Sequence, residues 1–587
     1  MRHFYLLGFF FLPVLSFSQL SISPSPVGAS YVFVKDEVLF VQQDVHLEKN
    51  NSSQLEASLY LRGDAQLIQG EKVSNLNSGN GLLSLFQEGT SNAYDYNYWS
   101  LPVADNLSNN NQFGSVFFEP LDVTKSIPAK MISGLDGTAN PLSISRKWLY
   151  KFSGKQYNDW QYIGDSFDVL PGEGFTMKGV NGINSIAIFG ILNNPGSQQR
   201  YDFRGKPNDG EIRLKINKDQ AVLTGNPYPS ALDLKQFLLE NPASTGIAYF
   251  WDSRPGGSSH YLQDYEGGYG LYSPGANAYV PAVFEAYDGN GEAADLTGGY
   301  GQLYGREFAP VAQGFMLIGQ QDGTIVFKNS YRRFQKENPE NSEFKKPLSG
   351  ETTTNEIPNL RLNISFNRLY TRQLLLAFNE RATSGVDRAM DAQSFSDLDS
   401  DAGWKFEDGN YIVDVRPFNS EDKIPLSVQL KEDSGLVFQI TSFKDFQPLD
   451  IFLFDAEDNA YYNIAGESKS FQLPKGNYPQ RFFLCFRDFS VVPNALASAK
   501  EIKPIKNSVD IFQNNERSQL EVRLPEETDL KELKLHNLNG AVVFSSKINE
   551  KERHLEFPTS GLQNAVYIVE LFTSDNKKLV KKVNIKN

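Results

Sequence analysis

Along most of the chain, hydrophobic and polar residues alternate in short runs, and the runs are separated by Gly, Asn, Asp and Pro. A period of two turns one side chain into a core and the next toward water, and turn residues every few positions close hairpins, so the pattern predicts antiparallel sheets. The cleanest case is "NLRLNISF", which places Leu360, Leu362, Ile364 and Phe366 on one face. "GLVFQITSF", "LDIFLFDAEDNAYYNIA" and "RFFLCF" follow as further strands, and together they predict a β-sandwich over residues 359–490. Helical periodicity is scarce. Its clearest instance is "PSALDLKQFLLENP", where Ser230 can cap, Leu232, Phe237 and Leu238 form an apolar stripe, and Asn241-Pro242 stops the turn.

Two polar stretches divide the pattern. Residues 329–358, charged and Pro-containing, read as a linker, and so do residues 491–506. In front of the first lies an aromatic-rich β body, residues 19–328, with signs of a diverged duplication. "YWSLPV", "RKWLYKF" and "LPGEGFTMKG" recur in order as "TGNPYPS", "IAYFWDS" and "APVAQGFMLIG", although the spacings differ. The expected class is all-β and multidomain, built of antiparallel β-sandwich units. A chain of 587 residues is too long for a single core, which agrees with several domains.

The first residues, "MRHFYLLGFFFLPVLSFSQL", run from a basic start through an apolar stretch to small residues. That order predicts a secretory signal over 1–18 with cleavage between Ser18 and Gln19, and the apolar run is too short to span a bilayer. No later segment predicts a transmembrane span. Export normally brings paired cysteines, but Cys485 stands alone, so no internal disulfide forms; within "RFFLCF" it reads as a small buried hydrophobe. A formal charge of -14 opposes nucleic acid as a partner.

The tail, residues 507–587, reads as a separate β module. "KELKLHNLNGAVVF" runs a strand into a type I′ turn at Asn539-Gly540, and "NAVYIVELF" places Tyr567, Val569 and Leu571 on one face and Val566, Ile568 and Phe572 on the other, a strand suited to burial on both faces. "KKLVKKVNIKN", with Lys581 and Lys582, closes the chain. On these stretches the tail resembles the type A sorting domain of the type IX secretion system of Bacteroidota, an Ig-like β-sandwich. Ala565 departs from the glycine usual before the Val-Tyr strand. The resemblance implies passage through the Sec translocon and then the type IX machinery, to the outer-membrane surface or the medium. "AYDYNYWSLPV", "FRGKPNDGEI", "LTGNPYPSALDLKQFL" and "VDRAMDAQSF" make the body similar to large secreted proteins of those bacteria, a likeness that speaks for location and carries no catalytic residues.

Familiar catalytic signatures are missing from the sequence: it has no His-Glu-x-x-His, Cys-x-x-Cys, Gly-x-Ser-x-Gly or Walker loop. "HYLQDYEGGYGLYSPGANAYVP" sets Tyr261, Tyr265, Tyr269 and Tyr272 among glycines beside His260, a pattern that either stacks on sugars or covers the edge of a core. Asp397, Asp399 and Asp401 alternate in "SDLDSDAGWKFED" and would offer oxygens to Ca2+, but Ala402 stands where an EF-type loop needs glycine, so a solvated acidic loop is the plainer reading. Arg62-Gly63-Asp64 spells an integrin-type tripeptide inside a strand-turn pattern. Two functions follow: a non-enzymatic exported protein that adheres, touches glycan or a cell-surface partner, or builds surface structure; or a polysaccharide-active enzyme with an unrecognised carboxylate pair.

Overall fold

The computed structural model describes residues 20–25, 28–50, 56–105, 116–192, 199–287, 293–339, 342–344, 357–396, 398–444, 450–490, 510–514, 517–523, 530–536, 542–548, 554–562, 565–573 and 578–585. The expected signal, its cleavage point at Ser18 and Gln19, and the turn at Asn539-Gly540 lie outside them. The chain forms two compact units, Met1–Ser490 and Val491–Asn587. Both are all-β, with one α-helix, Leu234–Glu240, among the described residues.

That helix starts one turn later than the sequence suggests. Asp233, not Ser230, is the cap: its carboxylate accepts from the backbone N–H of Gln236 at 2.8 Å, while Ser230 Oγ accepts from Arg332 and Leu232 sits in the strand Ala231–Asp233. An aspartate at this position also meets the positive end of the helix, which favours it over serine. Leu234, Phe237 and Leu238 form the buried face.

The centre of the first unit is an eleven-stranded sheet among the described residues, and its order makes sense of the two sequence series. The first series supplies the neighbours Tyr150–Gly154, Gly174–Lys178 and Tyr96–Ser100; the second supplies Ser244–Ser253, Gly314–Gly319 and Ala221–Gly225. In each triplet the Gly-Phe strand lies between the other two. The unequal spacing is absorbed in the turns: Glu173 N donates to Leu170 O and Gln313 N to Pro310 O, with Gly172 and Ala312 both at positive φ in the third place. The turns then cross over, Glu173 bridging Thr224 and Gln313 bridging Trp99, which curls the sheet. The strand glycines permit this approach, since a Cβ on Gly314 would sit 2.6–2.9 Å from Tyr98 and Trp99, and one on Gly174 would sit 2.5 Å from Thr224 O.

Residues 359–485 form two further sheets, here called the second sandwich, one of five strands and one of six among the described residues. Leu360, Leu362, Ile364 and Phe366 are all buried on its inner face. The segment after Tyr370–Phe378 fastens this sandwich to the central sheet. Arg388 donates to the carbonyls of Leu238, Leu239 and Asn241 at the helix C-terminus and to Ser244 O, and Phe395 packs on Tyr249 and Tyr269, with ring centroids 5.2 and 4.1 Å apart.

Two features depart from the sequence reading. The first half of the expected linker is packed: Tyr331, Arg332 and Phe344 are buried, Arg332 pairs with Asp209 at 3.0 Å, and Phe344 lies 4.8 Å from Trp99. Its polar composition reflects a buried ionic network instead of solvent. Near the N-terminus the strands pair in parallel, Leu20–Ile22 with Val45–Leu47, Val32–Lys35 with Leu59–Arg62, and Val38–Val41 with Gln66–Gln69.

In the second unit, sheets of three and four strands among the described residues enclose Ile511, Val522, Leu533, Leu535, Val569 and Leu571. The strand Ala565–Thr573 is internal, between Leu530–His536 and Lys578–Ile585. Tyr567, Val569 and Leu571 are buried, but Ile568 and Phe572 are half-buried, so the strand buries one face and only shields the other. Lys581 is exposed and Lys582 pairs in register with Ile568.

Candidate functional site

His260 belongs to a cluster assembled from four distant stretches. Its ring stacks on Trp148 at 5.0 Å and 14° and lies 4.7 Å from Tyr94. Nε2 is 2.5 Å from Asp136 Oδ1 and Nδ1 is 3.1 Å from Lys178 Nζ. The Asp136 carboxylate accepts from Nε2–H, which leaves Nδ1 of the neutral ring to accept from Lys178. The Lys178 side chain itself is buried, with its nitrogen 3.8 Å from the Trp148 ring centre and under 5 Å from those of Tyr96 and Tyr265. It also donates to the hydroxyl of Tyr265, which in turn donates to Tyr94 O. Burial pushes the Lys178 ammonium down to about 7, against the pull of the Asp95 and Asp136 carboxylates.

Beside this cluster lies an open groove of about 300 Å³, walled by Asp95, Arg254, the loop Gly256–Ser259, Asp264, Tyr265 and Glu266. Asp264 accepts from Ser259 Oγ at 2.6 Å, Arg254 pairs with Glu266 at 2.9 Å, and Asn92 Nδ2 holds Gly257 O at 3.0 Å. A Cβ on Gly257 would stand 2.7 Å from Asp95 Oδ1, so a larger residue there would displace that carboxylate. The groove therefore offers carboxylates, one guanidinium and a phenol at its base, a set suited to polyhydroxylated ligands. Tyr261, 73 % exposed, adjoins the wall through its backbone, its N–H donating to Ser259 Oγ and its carbonyl accepting from Asp264 N.

Of the other tyrosines of the glycine-rich stretch, Tyr265 and Tyr272 are buried and Tyr269 is half-buried. Tyr272 is 1 % exposed, its hydroxyl 2.5 Å from Asn277 Oδ1, and Tyr269 lies under Phe395 with its hydroxyl 2.6 Å from that of Tyr98. Small glycines on neighbouring strands let these rings lie flat over the core, as Tyr279 does over Gly270. Tyr265 is mostly buried but reaches the groove. What local reading missed is Lys178, Asp136 and Trp148, which no spacing links to His260, and the stretch "AYDYNYW", whose Tyr96 and Tyr98 share one face of the strand Tyr96–Ser100 while Tyr94 precedes it.

The remaining candidates are engaged elsewhere. Asp401 accepts two hydrogen bonds from Arg372, at 2.7 and 2.8 Å, and Asp399 pairs with Lys431, while Asp397 lies outside the described residues. Arg62 is wholly buried, 3.6 Å over the Phe86 ring and bonded to carbonyls of Leu61, Ser84 and Val123, so the Arg-Gly-Asp tripeptide is not presented. Cys485 is buried, and burial pushes its thiol up to about 12. In the second unit Glu521, His554 and Glu556 come together, with Arg523 also 3.3 Å from Glu521. No helix of the described residues is long and apolar enough to cross a membrane.

Comparison with curated proteins gives no match. A solved structure titled "Biofilm associated protein - BSP domain" is similar at 9 % identity over 86 % of this chain and 96 % of that one, with a TM-score of 0.12, a likeness too slight to carry weight. Residues 510–586 match the "Secretion system C-terminal sorting domain", so the second unit is a type IX sorting domain and the protein is an exported one handled by that machinery. Residues 19–486 match "Domain of unknown function (DUF8693)", and with most of its length inside that match the chain belongs to this family.

Proposed function

We propose that the exported body works outside the cell, surface-held or released, as a non-enzymatic protein that contacts glycan through the groove beside His260. The observation that carries this reading is the groove itself: a concave, polar, partly aromatic site whose carboxylates are spaced among backbone groups, with the exposed Tyr261 adjoining its wall. Sugar hydroxyls match carboxylate and carbonyl acceptors, and an aromatic edge takes the apolar face of the ring. The test is a glycan panel with reducing-sugar release measured alongside binding. Binding without turnover, weakened by Tyr261→Ala and Asp264→Ala, supports the reading. Release of reducing ends would favour the alternative, a polysaccharide-active enzyme using a carboxylate pair.

A further inference from the structure

The concave face of the central sheet carries more aromatic surface than the groove uses. By strand register Tyr150 pairs with Tyr162 and with Thr176, Thr176 with Tyr98, and Lys178 with Tyr96, so these side chains share one face across four adjacent strands. The Tyr150 and Tyr162 rings are 5.5 Å apart, and those of Tyr96 and Tyr265 are 6.0 Å apart. Tyr157 closes the gap, its hydroxyl within electrostatic range of those of Tyr150, Tyr96 and Tyr265. It is held in place by a short 3-10 turn, Tyr157–Asp159, in which Asp159 accepts from the backbone N–H of Lys155 at 2.6 Å and of Gln156 at 2.8 Å.

Farther along the same face, Tyr249 and Tyr269 are covered by Phe395 of the second sandwich. That cover does not extend to Tyr157 and Tyr162, which are 45 % and 44 % exposed, or to the partly exposed Tyr150 and Tyr96. We propose that Tyr162, Tyr150, Tyr157 and Tyr96 form a stacking track for a neutral, linear polysaccharide that runs on from the groove at Tyr265; the proposal rests on the glycan reading of that groove. Charge and side-chain type select this occupant. Lys151 pairs with Glu173 at 2.8 Å, Arg146 pairs with Asp165 at 3.2 Å, and Lys178 beside Tyr96 is buried and donates to Tyr265, so the track presents no strong charge to a cation or an anion. The groove's Asp95, Asp264 and Glu266 repel an acidic polymer. The track is made of tyrosines, flat rings with polar tips that stay wet when free and take sugar C–H faces when bound, whereas a permanent protein interface favours an apolar core. Four strands at roughly 4.8 Å spacing exceed a single sugar ring, so the track serves a chain.

The test uses the full mature chain and neutral hexaoses of β-1,4-glucose, β-1,3-glucose and β-1,4-mannose, with the matching disaccharides, in calorimetric titration. For the hexaose that binds, Tyr157→Ala/Tyr162→Ala is expected to lose about tenfold or more in affinity with an unchanged melting curve. Tyr157→Phe/Tyr162→Phe, which keeps the ring faces, is expected to retain most of it. The disaccharide, held by the groove alone, is expected to bind the alanine double variant as it binds wild type, and Asp264→Ala to weaken both ligands. Unchanged hexaose affinity in the double alanine variant overturns the track while leaving the groove intact. Failure of every glycan to bind wild type overturns both readings. Self-association of the wild type that the double alanine variant abolishes would identify a second copy as the occupant and overturn the track.

Discussion

Tyr269 and Tyr162 lie on the same face of one curled sheet, at opposite ends of it, and meet different surroundings. Tyr269 lies under Phe395, with its hydroxyl bonded to Tyr98; Tyr162 is 44 % exposed and touches only the edge of Tyr150 among the rings. The strand pattern is the same at both places, so it does not decide the outcome. The cover does: Arg388 and the residues after it anchor the second sandwich over one half of the face and leave the other half open. A tyrosine-rich stretch is thus core or surface according to what a segment more than a hundred residues away packs against it.

The comparison breaks most sharply in the core. Tyr272→Ala is expected to cost about 3–5 kcal/mol in denaturant unfolding, because it opens a cavity beside Phe250 and Tyr279 in a closed cluster and removes the partner of Asn277. Tyr272 lies on the face opposite Tyr269, so a cost below about 1 kcal/mol would mean that the core behind the sheet is not packed.

Next comes pH, through one buried group in the covering segment and one beneath the open end. Burial pushes the Asp391 carboxyl up to about 7, although the N–H groups of Asp387 and Val415 bond its charged form. Between the ordinary 3.8 and about 7 the folded chain keeps a proton that the unfolded chain has lost, so stability falls as pH rises through that window. Lys178 has the opposite sign. Its folded ammonium releases a proton near 7 and the unfolded one near 10.5, so stability rises with pH between them. The two together give a trough near neutrality, each limb worth on the order of 3 kcal/mol over the two pH units on its side of 7. Asp391→Asn is expected to flatten the acid limb and Lys178→Met the alkaline limb in urea midpoints measured from pH 5 to 9; parallel curves for all three proteins would refute both assignments.

Smaller still is the effect of lifting the cover. Phe395→Ala removes one half-buried ring and is expected to cost about 1–2 kcal/mol while making Tyr269 reactive to oxidative labelling. At the open end Tyr162→Ala is expected to stay within about 0.5 kcal/mol of wild type by thermal melting, as for exposed positions generally. A loss comparable to that of Tyr272→Ala would show that the face is not open.

Much of this architecture is legible where the physics is local. Alternation in residues 359–366 places four side chains on a buried face, and all four are there. The tail's strand, its inner position and its partners follow from apolar pattern and turn residues, although the half-burial of Ile568 shows that an apolar run does not by itself mean two buried faces. Parallel pairing near the N-terminus is not legible, because a strand has a period of two whichever way its neighbour runs. The packing of Tyr331 and Phe344 is hidden by polar neighbours whose partners, such as Asp209 for Arg332, are remote in sequence. His260 can be singled out as a residue, but its meaning depends on Asp136, Trp148 and Lys178, each about eighty residues or more away.

Residue-resolved hydroxyl-radical footprinting of the native, ligand-free protein tests most directly whether the body exposes a tyrosine face beyond the edge of its second sandwich. Tyr157, Tyr162 and Tyr261 are expected to be oxidised rapidly, and Tyr249, Tyr272 and Tyr279 to be protected by about tenfold or more until the protein unfolds, in line with their exposures. Protection of Tyr157 and Tyr162 as complete as that of Tyr272 in the monomeric protein would contradict the open face, and with it the track.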